Sequence, residues 1–216
     1  MLLNCSFLSG RKVKRVQNQE SFYDLVKSRR SIRLYEQKLI DSELLDRVIE
    51  AALYAPSGKN EQNWRFIVLS GEKKEEYLEF CQRAWLKQKE VLKDKLKPSL
   101  YEFTERFFYT LGGAPVVVLC YSASNSNFVE FTNVGSVFMA MQNMMLAATI
   151  EGLGSCSMGA PLTFKKEIDK FIGKKYFEDE EKKTLDLVGT IVLGWPAHEP
   201  PTAERKRDFR VRKLNS

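Results

Sequence analysis

An α-and-β domain with a single core, of the α+β or α/β kind, is the fold class the sequence predicts, and three observations predict it. Residues 114–121 (APVVVLCY) and 185–193 (LDLVGTIVL) are nearly continuous apolar runs of strand length, the mark of strands covered on both faces. Between and before them lie segments whose apolar residues recur at helical spacing, so strands alternate with helices. The chain has 216 residues, 44% of them apolar, which suffices for one substantial core and is short for two. We therefore divide it into an N-terminal arm, residues 1–19, and one domain, residues 20–216.

The arm carries a short apolar stretch ahead of its basic cluster, the reverse of a signal peptide's order. A helix is predicted over residues 21–28, with Phe22, Leu25 and Val26 at helical spacing. Asp41 is placed to cap a second helix whose face is Leu44, Leu45, Val48, Ile49 and Ala52, with Ile40 and Leu45 as a hydrophobic staple and Pro56 closing it. Residues 56–63 (PSGKNEQN) are turn chemistry, and residues 64–69 (WRFIVL) read as a strand. Residues 72–97 predict one exposed, charged helix, a surface cover or lid, ended by Pro98.

The runs 114–121 and 185–193 belong at the sheet centre. Residues 134–150 (VGSVFMAMQNMMLAATI) are apolar nearly all round, with four methionines, which predicts a helix buried on every side; in a domain of this size a second copy is an economical cover. Residues 152–160 predict a glycine-rich turn and short strand, residues 163–171 a small helix, and residues from 194 onward an irregular basic tail.

Composition narrows the function classes. The 34 Lys+Arg against 28 Asp+Glu give +6, spread through the chain, so anionic ligands are favoured and nucleic acid is permitted without being indicated. Cysteines stand at 5, 81, 120 and 156 without a CxxC pair, and His198 is the one histidine, which argues against a zinc site or a Cys-His nucleophile. Free thiols in the apolar segments around Cys120 and Cys156 suit a reducing compartment, the cytoplasm. No segment approaches about 18 uninterrupted apolar residues, so no membrane span is expected.

Three groups of residues carry candidate chemistry. Arg29, Arg30 and Arg33, with the Ser31 hydroxyl among them, place three guanidiniums within five residues, a set able to grip a phosphomonoester. In the turn Pro56, Ser57, Gly58, Lys59, Asn60, Glu61, Gln62, a glycine lets backbone approach a flat ligand and the amides can bond a heterocycle. Gly152, Gly154, Ser155 and Gly159 form the third. Each alone is equally a surface turn or loop connection.

In this order, and joined by Gly194-Trp195-Pro196-Ala197 and the basic tail, these motifs resemble the FMN-dependent nitroreductase family over about residues 20–210. The resemblance implies an α+β, nitroreductase-like three-layer fold, with a mixed central sheet flanked by helices in an intertwined homodimer. It implies tightly bound FMN, NAD(P)H as transient reductant, and ping-pong electron transfer to a small acceptor of nitroaromatic, quinone or flavin type. Arg29, Arg30, Ser31 and Arg33 match the residues that hold the FMN phosphate and the pyrimidine side of the ring, and Arg205 matches the basic residue completing the phosphate site, with Lys206 and Arg207 beside it. Pro56, Ser57 and Gly58, supported by Asn60, match the loop that reaches the flavin from the other subunit. Ser157, Met158, Gly159 and Ala160 match the segment along the isoalloxazine edge, the Gly159 N–H pointing at flavin N5. No side chain is expected to act as acid or base, and no metal or nucleic acid is expected.

The chain departs from the family pattern at Asn63, where a proline is usual, which bears on the rigidity of the loop. The resemblance makes residues 72–112 the variable lid, within which Arg106 matches a polar residue that contacts the flavin. Trp85, Phe107, Phe108 and Tyr109 are candidates for an aromatic wall, or for core; His198 reads as a surface turn residue and Cys156 as a packed thiol. The alternatives are a flavoenzyme of the same fold with another task (dehalogenation, ene reduction, flavin fragmentation), a flavin binder without turnover, and a basic nucleic-acid-binding protein. The Glu, Tyr, Lys lid pattern expected of a deiodinase is not found in residues 72–97.

Overall fold

The computed structural model describes residues 19–124, 131–173, 184–199 and 205; residues 1–18 of the N-terminal arm and most of the basic tail lie outside them. Its elements are α1 (Gln19–Ser28), α2 (Ser42–Leu53), β1 (Trp64–Ser70), α3 (Gly71–Lys93), α4 (Pro98–Thr110), β2 (Val116–Ser124), α5 (Phe131–Ile150), β3 (Gly154–Met158), α6 (Lys165–Ile172) and β4 (Thr184–Gly194). The strands form one sheet in the order β1-β2-β4-β3. The two apolar runs are indeed its central strands, and all nine residues of β2 are buried.

Strand alternation separates two cores. Val117, Leu119 and Tyr121 of β2 join the cluster containing Tyr77, Trp85, Phe107 and Ile168 from α3, α4 and α6. Val116, Val118 and Cys120 join Val48, Ala52, Val137, Ala140 and Met144 from α2 and α5. Helices thus cover both faces, three layers in all. A bulge in β4 keeps this segregation: Cys120 pairs with Gly189 and Tyr121 with Leu187, so Val188 is supernumerary, and Leu187 faces one core while Val188 faces the other.

The predicted cap on α2 is present: Asp41 Oδ1 accepts from the backbone N–H of Glu43 at 2.9 Å and of Leu44 at 3.4 Å, an arrangement that contributes about 1 kcal/mol. Asn63 replaces the rigidity of a proline with hydrogen bonds. Its buried Nδ2 donates to Ser122 Oγ at 2.9 Å and to the Asn133 carbonyl at 3.0 Å, tying the start of β1 to β2 and α5.

Several expectations are corrected. The sheet expected to be mixed pairs antiparallel throughout its four strands, and among the described residues the parallel pairing is the isolated bridge Ser31–Ser155. The single exposed helix of residues 72–97 is α3, which ends at Lys93 and buries Tyr77, Phe80, Cys81, Ala84 and Trp85. Pro98 opens a further helix, α4, at a first-turn position, where its missing N–H costs nothing. The small helix of residues 163–171 divides into a 3-10 turn, Ala160–Phe164, and α6. Residues 195–199 form no helix or strand, as expected, but they are tied to the domain: Pro196 bridges Tyr35, Glu36 N–H donates to the Trp195 carbonyl at 2.9 Å and Ala197 N–H to that of Leu34 at 3.1 Å.

The helix of residues 134–150, expected to be buried on every side, begins earlier and leaves a stripe bare. Phe131 is 90% exposed and Phe138 51%, with Ile150 at 68%. Phe22, Tyr23 and Val26 of α1, which packs against α5, are exposed as well. This much apolar surface on one helix pair has the composition of a surface that another chain covers.

Candidate active site

Residues 29–35 run as an extended ribbon between two glycines. On one side Ile32 N–H donates to the Ser155 carbonyl at 2.9 Å, and Gly154 permits the approach, since a Cβ there would lie 2.8 Å from three side-chain carbons of Ile32. On the other side Tyr35 N–H donates to the Gly112 carbonyl at 2.8 Å. Gly112, at φ +64°, is a turn position after α4 where a Cβ would collide with the Arg33 carbonyl and lie 3.1 Å from Leu34 Cα. The edge of the sheet and the end of α4 together fix where Arg33 emerges.

Arg33 emerges into a cavity of about 430 Å³. Cys156, Ser157, Met158, Gly159 and Ala160, from β3 and the turn after it, form its floor; Leu92, Leu96, Leu100, Phe103, Thr104, Phe107 and Phe108 form the opposite wall. The fold therefore gathers five predicted site residues, Arg33, Ser157, Met158, Gly159 and Ala160, around one space. Gly159 is exposed, with nothing within 4 Å of where a Cβ would stand, so a flat ligand could approach its backbone closely.

Arg29 is half-buried and within electrostatic reach of Arg205. Burial, then the charges of Arg205 and Arg30, lower its pKa from the ordinary guanidinium range. Among the described residues the opposing influence is the Cys156 sulfur, and the like charges gathered around it suit an anion. Arg30 takes another direction: its Nη1 donates to the Lys27 carbonyl and, at 2.9 Å, to that of Arg29, closing the end of α1. It lines a second cavity of about 220 Å³ with His198 and Glu199. Ser31 turns its hydroxyl, as Arg33 turns its guanidinium, to the Cys156 sulfur; burial nevertheless raises the Cys156 thiol above its ordinary range, against the pull of Arg33 and Arg29.

Pro56, Ser57, Gly58 and Asn60 do not line the cavity of their own chain. They occupy the α2–β1 loop, where Lys59, Asn60 and Gln62 all have left-handed backbone, at φ 52°, 57° and 47°. Ser57 Oγ accepts from Gln62 N–H at 3.0 Å and Asn60 Oδ1 from Gln62 Nε2 at 3.2 Å, which holds the strained turn closed. Apart from half-buried Ser57, these four residues are exposed.

Of the aromatic candidates, Phe107 and Phe108 reach the cavity, and Trp85 stacks behind Phe108 at 5.6 Å between ring centroids. Tyr109, Arg106 and His198 do not line this cavity, and all three are exposed. Sequence reasoning missed Leu92, Leu96, Leu100, Phe103 and Thr104. Their four-residue and three-residue spacing was readable, but it is the spacing of core residues too. Among the described residues no group of three His, Cys, Asp or Glu is disposed to hold a metal, and no helix is long and apolar enough to cross a membrane.

Comparison with known proteins agrees with this geometry. The family model for the nitroreductase family matches residues 26–195. The iodotyrosine deiodinase of Thermotoga neapolitana is 32% identical over 186 residues, 85% of this chain and 92% of that protein. Among solved structures, a nitroreductase with bound FMN from Desulfitobacterium hafniense superposes with a TM-score of 0.67 at 21% identity, over 89% of this chain and 97% of the other. The FMN-dependent nitroreductase NfnB from Mycobacterium smegmatis, solved in complex with NADPH, gives 0.67 at 19% identity, over 91% and 98%. At these identities the two structures establish a common fold.

Proposed function

The chain belongs to the nitroreductase family, and from that premise we propose that it is an FMN-dependent oxidoreductase, a cytoplasmic homodimer that carries electrons from NAD(P)H to a small organic acceptor. The observation that carries the reading is the convergence of Arg33 with Ser157, Met158, Gly159 and Ala160 on one cavity, next to the electrostatically coupled pair Arg29 and Arg205. These residues fit FMN: a cluster of guanidiniums suits its phosphate, and an open glycine backbone beside an apolar wall suits a flat heterocycle.

FMN, when bound, supplies the two-electron chemistry. The chain's share is to hold and tune it. Arg29 and Arg205 would bind the phosphate, and Ser31, adjoining in sequence, would close that end; Arg30, turned to the carbonyls at the end of α1, would support the ribbon that presents them. Arg33 would place a permanent positive charge at the pyrimidine edge, where negative charge grows on reduction, and so favour the reduced state. The Gly159 N–H would face N5, with Ser157, Met158 and Ala160 along the ring edge. The wall from α3 and α4 would exclude water.

Pro56, Ser57, Gly58 and Asn60 would serve the flavin of a second protomer. Their exposure in this chain, the strain held in their turn and the bare stripe on α5 all support that assignment. Reductive dehalogenation is the second reading, favoured by the name of the 32%-identical relative.

The decisive experiment is the visible spectrum of the purified protein before and after anaerobic NADH or NADPH. Flavin bands that bleach are the expected result. Bands that persist would remove NAD(P)H as reductant, and a protein that stays colourless after incubation with FMN would sink the flavin reading.

A further inference from the structure

The wall that faces the flavin-binding residues is almost without charge. Leu92 comes from the last turns of α3, Leu96 from the connection between the helices, and Leu100, Phe103 and Phe107 from α4. None of the ionic side chains of the same segment, Lys93, Asp94, Lys95 and Lys97, lines the cavity. Thr104 commits its hydroxyl proton to the Leu100 carbonyl at 2.7 Å, and Glu105 accepts from Trp85 Nε1 at 2.9 Å, away from the space. Among the described lining residues Arg33 is the one ionic side chain, on the side of the floor, and no carboxylate accompanies it.

From this we propose that Leu92, Leu96, Leu100 and Phe103 determine specificity, selecting acceptors with an uncharged edge toward the wall and excluding aromatic rings that carry a free amino-acid group. The proposal rests on the flavin reading and narrows it. An uncharged ring loses only water when it meets leucine and phenylalanine. An ammonium–carboxylate pair gives up its hydration there and finds no ion-pair partner on the wall. The shape of the ring is then a minor criterion, and the charge on its substituent the major one.

Three probes that share one ring separate these factors: 2-iodophenol, 3-iodotyrosine, and N-acetyl-3-iodotyrosine amide, which is bulkier than the amino acid but uncharged. Titration calorimetry on the oxidised protein reads their binding with or without FMN. Iodophenol should bind on the order of 100-fold more tightly than iodotyrosine, with the amide tighter than the free amino acid despite its size. Iodotyrosine binding as tightly as iodophenol would overturn the proposal, and so would an amide no tighter than iodotyrosine, which would make size the criterion.

Leu100→Asn should narrow the iodophenol–iodotyrosine gap about tenfold. Because Leu100 is 48% exposed, this variant should keep its fold, which circular dichroism checks. A gap unchanged in both Leu100→Asn and Leu96→Asn would count against these side chains. A protein that takes up no FMN would instead sink the flavin reading, and the calorimetric ranking would still be read on the apoprotein.

Discussion

Arg29→Ala combined with Arg33→Ala should yield a folded protein that purifies without flavin. Each guanidinium–phosphate or guanidinium–ring hydrogen bond contributes about 1.5–3 kcal/mol, so losing both should weaken FMN binding between roughly a hundredfold and ten-thousandfold. The ratio of flavin to protein absorbance, followed by titration of FMN into the apoprotein, measures this. Stability should move little or rise. Arg29 lies within the field of Arg205 and Arg30, whose like charges oppose its own when no anion is present, so removing it relieves repulsion in the apoprotein. A double variant that retains FMN at full occupancy would refute the phosphate-site assignment.

Gly112→Ala should be the most damaging single methyl addition near the site. Its φ of +64° costs an L-residue about 1–2 kcal/mol, and the added Cβ would drive into the Arg33 carbonyl, a backbone group that cannot turn aside. Overpacking of this kind costs about 1–3 kcal/mol more. Relief would come from moving residues 33–35, which would break the Tyr35–Gly112 hydrogen bond and redirect the guanidinium. Loss of about 3–4 kcal/mol in urea unfolding is expected, with weaker FMN binding in whatever folds. Gly113→Ala is the control. It too has positive φ, but its added carbon meets the end of the Gln37 side chain, 2.6 Å away and free to rotate, so the cost should be smaller and FMN binding intact. Equal effects at both positions would show that Gly112 does not position Arg33.

The sheet was legible because burial leaves a direct trace in sequence. Residues 114–121 and 185–193 had no polar face to offer water, so they could lie only at the centre, whereas the extra residue at Val188 left no trace because a bulge is defined by its partner strand. Asp41 was legible because a cap is local chemistry. Helix α4 was hidden because Pro98 has two local meanings: it ends the segment before it, and it also suits the first turn of a new helix. At the site, the basic cluster and the glycine turn were readable as motifs, and the fold brings Arg33 to residues 157–160. The divergence of Arg30 was not readable, since neighbours in an extended ribbon point to opposite sides. The leucine wall was hidden because a cavity lining and a core have the same periodicity. Likewise the pattern of residues 134–150 told that the helix must be covered, and not by what.

On the proposed assembly, the bare stripe of α5 makes protein concentration a thermodynamic variable of the cofactor site. Association would cover Phe131, Phe138 and Ile150 and, in the same step, bring Pro56, Ser57 and Gly58 to the other protomer's flavin. Folding, pairing and flavin uptake would then be linked by mass action, each drawing the others forward. Dilution would act on such a protein as a mild denaturant and a mild chelator at once, and free FMN would act as an assembly factor. In a cell, the flavin supply would set how much of the chain is held in its paired form as well as how much of it is active.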